Sequence, residues 1–220
     1  QNEFIKKIKS IINKKIKYDF IDIGANIGIM SKCLLNNKIK LSNTYCVEPN
    51  QENYFCLKNN LKDYKNIKFF NFALSTKKED KKLFIDKNNM GNLSFYYEMV
   101  ERDKLGFMNS PDNYEIIKCE STQKFFKSIK LKKNIIKIDT QGYDEIIFQE
   151  IPKSVLKKNQ ILIIEITPIN EKKINFSKYK ENLNFYKKFT DFDGNIYSKD
   201  QVIELSKKTK GKNIDLIFLK

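Results

Sequence analysis

The first part of the chain combines hydrophobic side chains at helical spacing with lysines between them. This pattern predicts an amphipathic helix over residues 1–17 that packs on the rest of the protein. A basic amphipathic helix lying on a membrane surface would show a similar pattern and is the less favoured alternative. The hydrophobic positions are Phe4, Ile5, Ile8, Ile11, Ile12 and Ile16.

Beyond residue 17, short hydrophobic runs alternate with helical patterns. Alternation of this kind is typical of a mainly parallel sheet with helices on both faces. We therefore predict one α/β domain over 18–220, with a Rossmann-like, doubly wound fold and a seven-stranded sheet. The predicted strands are 18–24, 44–49, 67–75, 134–140, 160–167, 195–197 and 214–219. The predicted helices are 28–36, 51–62 and 177–188, with a further helical stretch from Asp144.

Residues 76–130 interrupt this alternation. The interval is polar and contains two strand-like pieces, at 82–85 and 93–97. We predict an insertion over one edge of the sheet. Because long loops in compact domains are often functional, we expect it to act as a lid over a substrate site.

The positive net charge of the chain has two explanations. The 220 residues carry 42 basic and 27 acidic side chains, which gives a formal charge of +15. A surface that binds a polyanion such as nucleic acid is one explanation. Compositional bias is favoured, because Arg102 is the only arginine and arginine is the residue best suited to gripping phosphate.

The absence of histidine and of a C-x-x-C pair excludes several kinds of catalytic and metal site. The chain has no histidine, which excludes a His base, a Ser-His-Asp triad and His metal ligands. The four cysteines form no C-x-x-C pair and indicate reduced thiols. No hydrophobic run is long enough for a membrane helix, and no signal-peptide pattern opens the chain, so we expect a cytoplasmic protein. The chain starts at Gln1 rather than Met, so we expect a fragment or a trimmed chain.

The segment Asp22-Ile-Gly-Ala-Asn-Ile-Gly28 lies where the first predicted strand turns into a helix. Ligands of doubly wound sheets bind beside this turn. Gly24 allows the sharp turn, and Ala25 and Gly28 keep the loop thin enough for a ligand to approach the main chain. Asp22 places a carboxylate under the loop, where it suits a cationic ligand group.

Glu48 ends the second predicted strand. A carboxylate at this position accepts hydrogen bonds from a ribose diol. Asp22 stands where a dinucleotide-binding loop would have its first glycine. Because a carboxylate there disfavours a pyrophosphate and favours an ammonium group, the pair indicates S-adenosylmethionine rather than NAD.

These residues resemble the class I methyltransferases, and most closely the FkbM-type methyltransferases, over residues 18–167. The Lys-Ile-Asp-x-x-Gly-Tyr pattern makes the FkbM type specific. Two positions depart from the family: Gln141 stands where a Glu is usual, and Thr122-Gln123 where Leu-Asp is frequent. If the family Glu is catalytic, Gln141 impairs activity; if it is structural, an amide can serve. The matching segments are 22–28, Val47-Glu-Pro49, 71–75, 136–144 and 163–166.

The resemblance implies an S-adenosylmethionine site at the carboxyl ends of the strands. Glu48, with Pro49 beside it, would hold the ribose, and Asp139 would lie close to the transferred methyl group. The other implied contacts are Asp22, Gly24, Ala25, Asn26 and Gly28 for the methionine part, and Asn71 and Ala73 for the adenine.

Methyl transfer to a hydroxyl requires alignment of the acceptor and gains from a base. Asp139 is the first candidate for that base or for orienting the substrate; Glu165 and Tyr143 come next, and Gln141 belongs to the same predicted catalytic set. Asp139 could instead bind the cofactor or cap a turn, and Glu165 could be structural. The two carboxylates could also chelate Mg²⁺, although we do not expect a metal.

Polar and aromatic residues of the insertion are further candidates. Asn92 and Ser94 could reach the substrate or belong to a solvated loop. Phe95, Tyr96 and Tyr97 could stack on a sugar or a base, or fill the edge of the core.

The resemblance as a whole implies an S-adenosylmethionine-dependent O-methyltransferase. Its acceptor would be a hydroxyl group of a sugar, a related small molecule or a glycan. The charge suggests an RNA-modifying methyltransferase as an alternative, and Gln141 suggests a non-catalytic cofactor-binding protein. The sequence leaves the oligomeric state open.

Overall fold

The computed structural model describes residues 2–37, 39–86, 89, 92–101, 108–170 and 172–220. Gln1, Arg102 and parts of the 76–130 insertion lie outside these residues. The helices within them are α1 (Asn2–Ile11), α2 (Ile29–Asn36), α3 (Gln51–Leu61), α4 (Tyr97–Val100), α5 (Thr122–Ser128), α6 (Asp144–Gln149), α7 (Lys153–Leu156), α8 (Phe176–Leu183) and α9 (Lys199–Lys207). The strands are β1 (Tyr18–Ile23), β2 (Leu41–Val47), β3 (Ile67–Phe70), β4 (Ala73–Ser75), β5 (Glu79–Ile85), β6 (Leu93–Ser94), β7 (Tyr114–Ser121), β8 (Asn134–Ile138), β9 (Asn159–Ile166), β10 (Lys188–Asp191), β11 (Ile196–Tyr197) and β12 (Ile214–Leu219).

Eight strands form the large sheet in the order β11-β10-β12-β9-β8-β1-β2-β3. The five from β9 to β3 are parallel, whereas β12 runs antiparallel to β9 and β10 antiparallel to β12. This confirms the predicted mainly parallel α/β fold. The additional strand is β10. It begins at Lys188 and ends at Asp191, so only two residues lie between its charged ends. Such a short run does not show the pattern of a strand.

Helices cover both faces of the large sheet. On one face, Ile8 of α1 and Leu34 of α2 pack with Phe20 of β1, and all three are fully buried. On the other face, Phe148 of α6 and Tyr179 of α8 join a larger cluster. Burial on both faces explains why the central strands are almost continuously hydrophobic.

Helix α1 is shorter than the sequence pattern predicted, because Asn13 forms a turn after it. The side chain of Asn13 accepts a hydrogen bond from the backbone N–H of Lys15 at 2.9 Å, and its carbonyl accepts from the N–H of Ile16 at 3.0 Å. Asparagine favours such local turns over helix continuation.

The strand predicted over 67–75 is wrong as a single element. The chain leaves the large sheet after Phe70, and β4 belongs to a second sheet with the order β4-β7-β5-β6. The side chain of Asn71 fixes the bend by donating to the carbonyls of Glu48 and Pro49, each at 3.0 Å.

Most of the second sheet falls in the interval that was predicted as an insertion. Strand β7 was not predicted there because its charged residues, among them Glu115 and Lys118, make the segment resemble a polar loop. Helix α5, which follows β7, and helix α9 were also missed. Among the described helices, none has the length and apolar character needed to cross a bilayer.

Candidate active site

The carboxyl ends of β1 and β8 lie side by side in the middle of the large sheet. From β1 the chain winds outward through β2 to β3, and from β8 it winds the other way to β9. Doubly wound sheets bind ligands in the crevice at this reversal. The loops 24–28 and 139–143 form that crevice here.

Gly24 is required where these two loops touch. Its φ is +74°, and a Cβ at this position would lie 1.8 Å from the carbonyl oxygen of Asp139. Gly28 also has a positive φ, and a Cβ at this position would lie 2.7 Å from Cδ1 of Leu57 in α3, so its absence makes room for that side chain. Ala25 is buried in the same cluster as Leu57. Gly28 and Ala25 therefore pack the loop on α3.

Asp22 is fully buried behind the loop. Its Oδ2 accepts a 2.7 Å hydrogen bond from the hydroxyl of Ser31, and its Oδ1 lies 3.4 Å from Nζ of Lys137. The cation that faces this carboxylate is thus one of the protein's own. Asp22 lies under the loop as predicted, but enclosed by the protein rather than open to a ligand.

Glu48 follows β2 and lines the cleft with 4% of its surface exposed. The backbone N–H groups of Asn26 and Asn50 each donate to one of its carboxylate oxygens, at 2.8 and 3.0 Å. Burial raises the pKa of Glu48 to about 7, although the two backbone hydrogen bonds act in the opposite direction.

Asp139 follows β8 and is the most accessible carboxylate of the crevice, with 41% of its side chain exposed. Its Oδ2 lies 3.2 Å from Nζ of Lys137, and its Oδ1 accepts a 2.9 Å hydrogen bond from the amide of Gln141. Burial acts to raise the pKa of Asp139, but Lys137 and Gln141 outweigh burial and lower it. Asp139 is therefore ionised near neutral pH and can accept a hydrogen bond.

A network of hydrogen bonds fixes the loop that carries Gln141. The buried carboxylate of Asp144 accepts from the N–H groups of Thr140 and Gly142, both at 3.0 Å, and from the Thr140 hydroxyl at 3.1 Å. Gln141 has a φ of +52°, and its carbonyl accepts a 2.7 Å hydrogen bond from the hydroxyl of Ser94 in β6. The second sheet thus holds the loop from the opposite side.

Tyr143 points into the junction with the second sheet. Its hydroxyl lies 3.2 Å from the Ser75 hydroxyl and accepts a 2.8 Å hydrogen bond from Nζ of Lys81. Its ring packs edge-on against Phe95, with centroids 4.9 Å apart. Tyr143 is buried and does not line the cleft, so it is placed to support the loop rather than to meet a substrate.

Glu165 lies on β9, the strand next to β8. Its two oxygens accept hydrogen bonds from Thr167 at 3.0 Å and from Asn213 at 3.1 Å. Burial, with added repulsion from Asp144 and Asp139, raises the pKa of Glu165 to about 7. Glu165 is held by these partners and does not line the cleft.

The cleft joins polar groups at the strand ends to an apolar wall. Gly24, Asn26, Glu48, Pro49 and Asp139 contribute from the large sheet and its loops, whereas Asn71 only supports the bend after β3. The apolar wall is made of Ala73, Leu74, Leu83, Leu93 and Phe95, which come mainly from the second sheet. This arrangement can hold a flat apolar ring beside a carboxylate that accepts hydrogen bonds.

The other candidate residues of the insertion form hydrogen bonds within the protein and support its structure. Ser94 is fully buried in its contact with Gln141, and Tyr97 donates a 2.6 Å hydrogen bond to the carbonyl of Asn109. Asn92 donates to Asp86 at 3.1 Å. Phe95 is the aromatic residue of this group that lines the cleft.

Lys137 is the residue that sequence reasoning missed. It lies inside the Lys-Ile-Asp segment but was given no role, although residues two apart on a strand share a face. Alternation along β8 would have placed Lys137 and Asp139 together.

Within the described part of the chain, no group of three or more His, Cys, Asp or Glu residues could hold a metal ion.

Comparisons with known proteins come from a family model and from solved structures. The model of the methyltransferase FkbM domain matches residues 22–199. The crystal structure of methyltransferase FkbM from Methylobacillus flagellatus aligns with a TM-score of 0.55 and 14% identity, over 95% of this chain and 45% of that one. The M. capricolum TrmK structure in complex with S-adenosyl-homocysteine aligns with a TM-score of 0.47 and 14% identity, over 99% of this chain and 67% of that one. No curated protein matches the chain.

Proposed function

This chain belongs to the FkbM methyltransferase family, and from that premise we propose that it transfers a methyl group from S-adenosylmethionine to a hydroxyl of a sugar or related glycan. The chain spans 45% of the length of the solved FkbM methyltransferase. The proposal therefore concerns the chemistry of this domain.

The residues that line the cleft suit the adenosine part of such a donor. Each oxygen of Glu48 accepts one backbone hydrogen bond, and a carboxylate has about four acceptor positions, so both oxygens can also accept from a ribose diol. Leu74, Leu83 and Phe95 offer the apolar surface that an adenine ring needs. Gly24 and Asn26 line the remaining part, where we place the methionine group.

Asp22 does not discriminate between the two donors. Lys137 already neutralises that carboxylate, and a buried group without access cannot meet a ligand ammonium. The family assignment supports S-adenosylmethionine over NAD, whereas Glu48 suits the ribose of either donor.

A bound S-adenosylmethionine would supply a sulfonium methyl group that is already activated toward nucleophiles. The protein's task is then to align the acceptor hydroxyl and to receive its proton. Asp139 is accessible and ionised, so it can accept a hydrogen bond from that hydroxyl and orient its oxygen. Because the hydroxyl becomes strongly acidic as its oxygen forms a new bond, a carboxylate with a low pKa is a sufficient base.

The observation that carries this proposal is the placement of Glu48 and Asp139 in one cleft, at the ends of β2 and β8. Gln141, on which the non-catalytic alternative rests, donates a hydrogen bond to Asp139; a methyl-transfer assay distinguishes that alternative from an active enzyme.

Calorimetric titration of the chain with S-adenosylhomocysteine, with NAD as the control, tests the donor. We expect micromolar binding of the former and none of the latter; binding of NAD alone would contradict the proposal. Transfer of tritiated methyl groups to a panel of neutral glycosides and to an RNA transcript tests the acceptor. Labelling of the RNA alone would favour the RNA-modifying alternative.

A further inference from the structure

A second cavity opens on the other face of the strand ends, beneath α1. Its volume is about 290 Å³, at the small end of the roughly 300–1,000 Å³ typical of ligand pockets. Asp139 lines this cavity as well as the cleft that contains Glu48. A group bound here would therefore meet the same carboxylate as a group bound in the cleft.

The walls of this cavity are apolar and partly aromatic. Phe4 of α1 and Phe192 pack against each other in this wall, with ring centroids 5.9 Å apart and planes tilted by 36°. Met30 of α2 completes the wall. Ring faces of this kind pack on the C–H faces of a small saturated ring as well as on aromatic groups.

The floor of the cavity is polar because of strand register. Glu165 of β9 pairs with Asp215 of β12, and β8 lies on the other side of β9 with Ile138 opposite Ile164. Asp139, Glu165 and Asp215 therefore follow one another across neighbouring strands, and Lys137 and Asp215 line the floor beside Asp139.

These charges discriminate against anionic ligands. A phosphate would meet the carboxylates of Asp139 and Asp215, with Glu165 next to them. Lys137 is the cation among the lining residues, and it already lies 3.2 Å from Asp139 and 3.4 Å from Asp22. Hydroxyl groups face no such penalty, since they can donate to the carboxylates and accept from the ammonium.

We infer that this cavity is the acceptor site and that it takes a hydroxyl-bearing ring of about one sugar unit that carries no negative charge. The inference rests on the proposed function, which it extends to the position and charge of the acceptor. One face of the ring would pack on Phe192 and Met30, while its hydroxyls reach Asp139 and Asp215.

Ligand-observed saturation-transfer NMR on the full chain, with S-adenosylhomocysteine present, tests this inference. The probes are methyl α-glucoside, methyl α-mannoside and methyl α-galactoside, compared with glucose 6-phosphate. We expect signals from at least one neutral glycoside and signals at least tenfold weaker from the phosphate.

Two neighbouring positions on α2 provide matched variants. Met30→Trp fills the cavity and should weaken glycoside binding at least tenfold. Ile29→Trp adds the same bulk at a side chain that is 41% exposed and outside the cavity, and should leave binding unchanged. Calorimetry with S-adenosylhomocysteine on each variant shows whether the fold and the donor cleft remain intact.

The outcomes separate this inference from the proposed function. If S-adenosylhomocysteine binds but no neutral glycoside does, or if Met30→Trp binds glycosides like the wild type, the acceptor site is not this cavity. Preferred binding of glucose 6-phosphate would also overturn the inference. If the glycoside binds with the expected variant pattern but S-adenosylhomocysteine does not, the proposed donor is wrong while the cavity assignment stands.

Discussion

The side-chain amide of Gln141 donates a 2.9 Å hydrogen bond to Oδ1 of Asp139. Together with Lys137, this bond stabilises the ionised form of Asp139 and lowers its pKa. A glutamate at position 141, which the family usually has, would place a second carboxylate beside the first. The amide thus has a definite electrostatic role in this chain.

Gln141→Glu should raise the pKa of Asp139, because a hydrogen-bond donor is replaced by a like charge. NMR titration of ¹³C-labelled aspartate carboxyls measures this, with the signal assigned from Asp139→Asn. Gln141→Met, which removes the donor without adding charge, should give a smaller rise. An unchanged Asp139 titration in Gln141→Glu would show that the amide does not act on it.

Lys137→Met should destabilise the protein strongly, because it leaves the buried carboxylate of Asp22 without its counter-charge. Breaking a buried pair by removing one partner typically costs about 3–5 kcal/mol. Urea unfolding measures the change. Lys153→Met is the control: its pair with Glu181 has a 2.8 Å separation but is exposed on both sides, so little change is expected. Equal effects of the two substitutions would contradict a special role for Lys137.

Donor binding should depend on the ionisation of Glu48. Burial raises the pKa of Glu48 to about 7, and only the ionised carboxylate offers both oxygens as acceptors. The affinity for S-adenosylhomocysteine should therefore rise as the pH increases from 6 to 8. Charged hydrogen bonds contribute about 1.5–3 kcal/mol, so Glu48→Gln should bind at least tenfold more weakly at pH 8.

Glu48→Gln also serves as the control for this pH dependence. Burial raises the pKa values of Asp144 and Glu165 to about 7 as well, so these groups titrate in the same range. If Glu48 is responsible, calorimetry on the variant should give an affinity that no longer changes between pH 6 and 8. A pH dependence that survives in the variant would assign the effect to another carboxyl group.

Gly24→Ala should be far more damaging than Gly194→Ala. Both glycines have positive φ values, +74° and +97°, and so share the backbone strain of any side chain there. A Cβ at 24 would also overlap the carbonyl oxygen of Asp139, whereas a Cβ at 194 meets nothing within 4 Å. We expect about 1–2 kcal/mol of destabilisation at 194 and a considerably larger loss at 24, measured by thermal unfolding. Similar losses would show that the two loops can separate.

Tyr143→Phe should reduce stability with little effect on methyl transfer. The hydroxyl bonds to Ser75 and Lys81 away from the cleft, so its loss should cost about 0.5–1.5 kcal/mol and change the rate less than threefold. Asp139→Asn provides the contrast, with a large loss of rate. A hundredfold slower Tyr143→Phe variant of unchanged stability would restore Tyr143 as a catalytic candidate.

Local patterns in the sequence were sufficient for the parallel core. Strands β1, β2, β8 and β9 are short hydrophobic runs that end at turn-forming residues, and hydrophobic periodicity identifies such elements without knowledge of their neighbours. The same is true of α2 and α3. The sequence did not predict the second sheet, because β7 has exposed and charged residues. A strand of this kind has the composition of a loop.

The sequence by itself determined the α/β fold, the family, and the strand ends at which Glu48 and Asp139 lie. Only the tertiary structure decided what those carboxylates face. Asp22 and Lys137 are distant in the chain, and they meet because β1 and β8 are adjacent in the sheet. The order of the strands depends on how the helices and the second sheet pack. Local hydrophobic periodicity does not determine that order. For this reason the sequence could indicate a carboxylate beneath the loop but not the lysine that neutralises it.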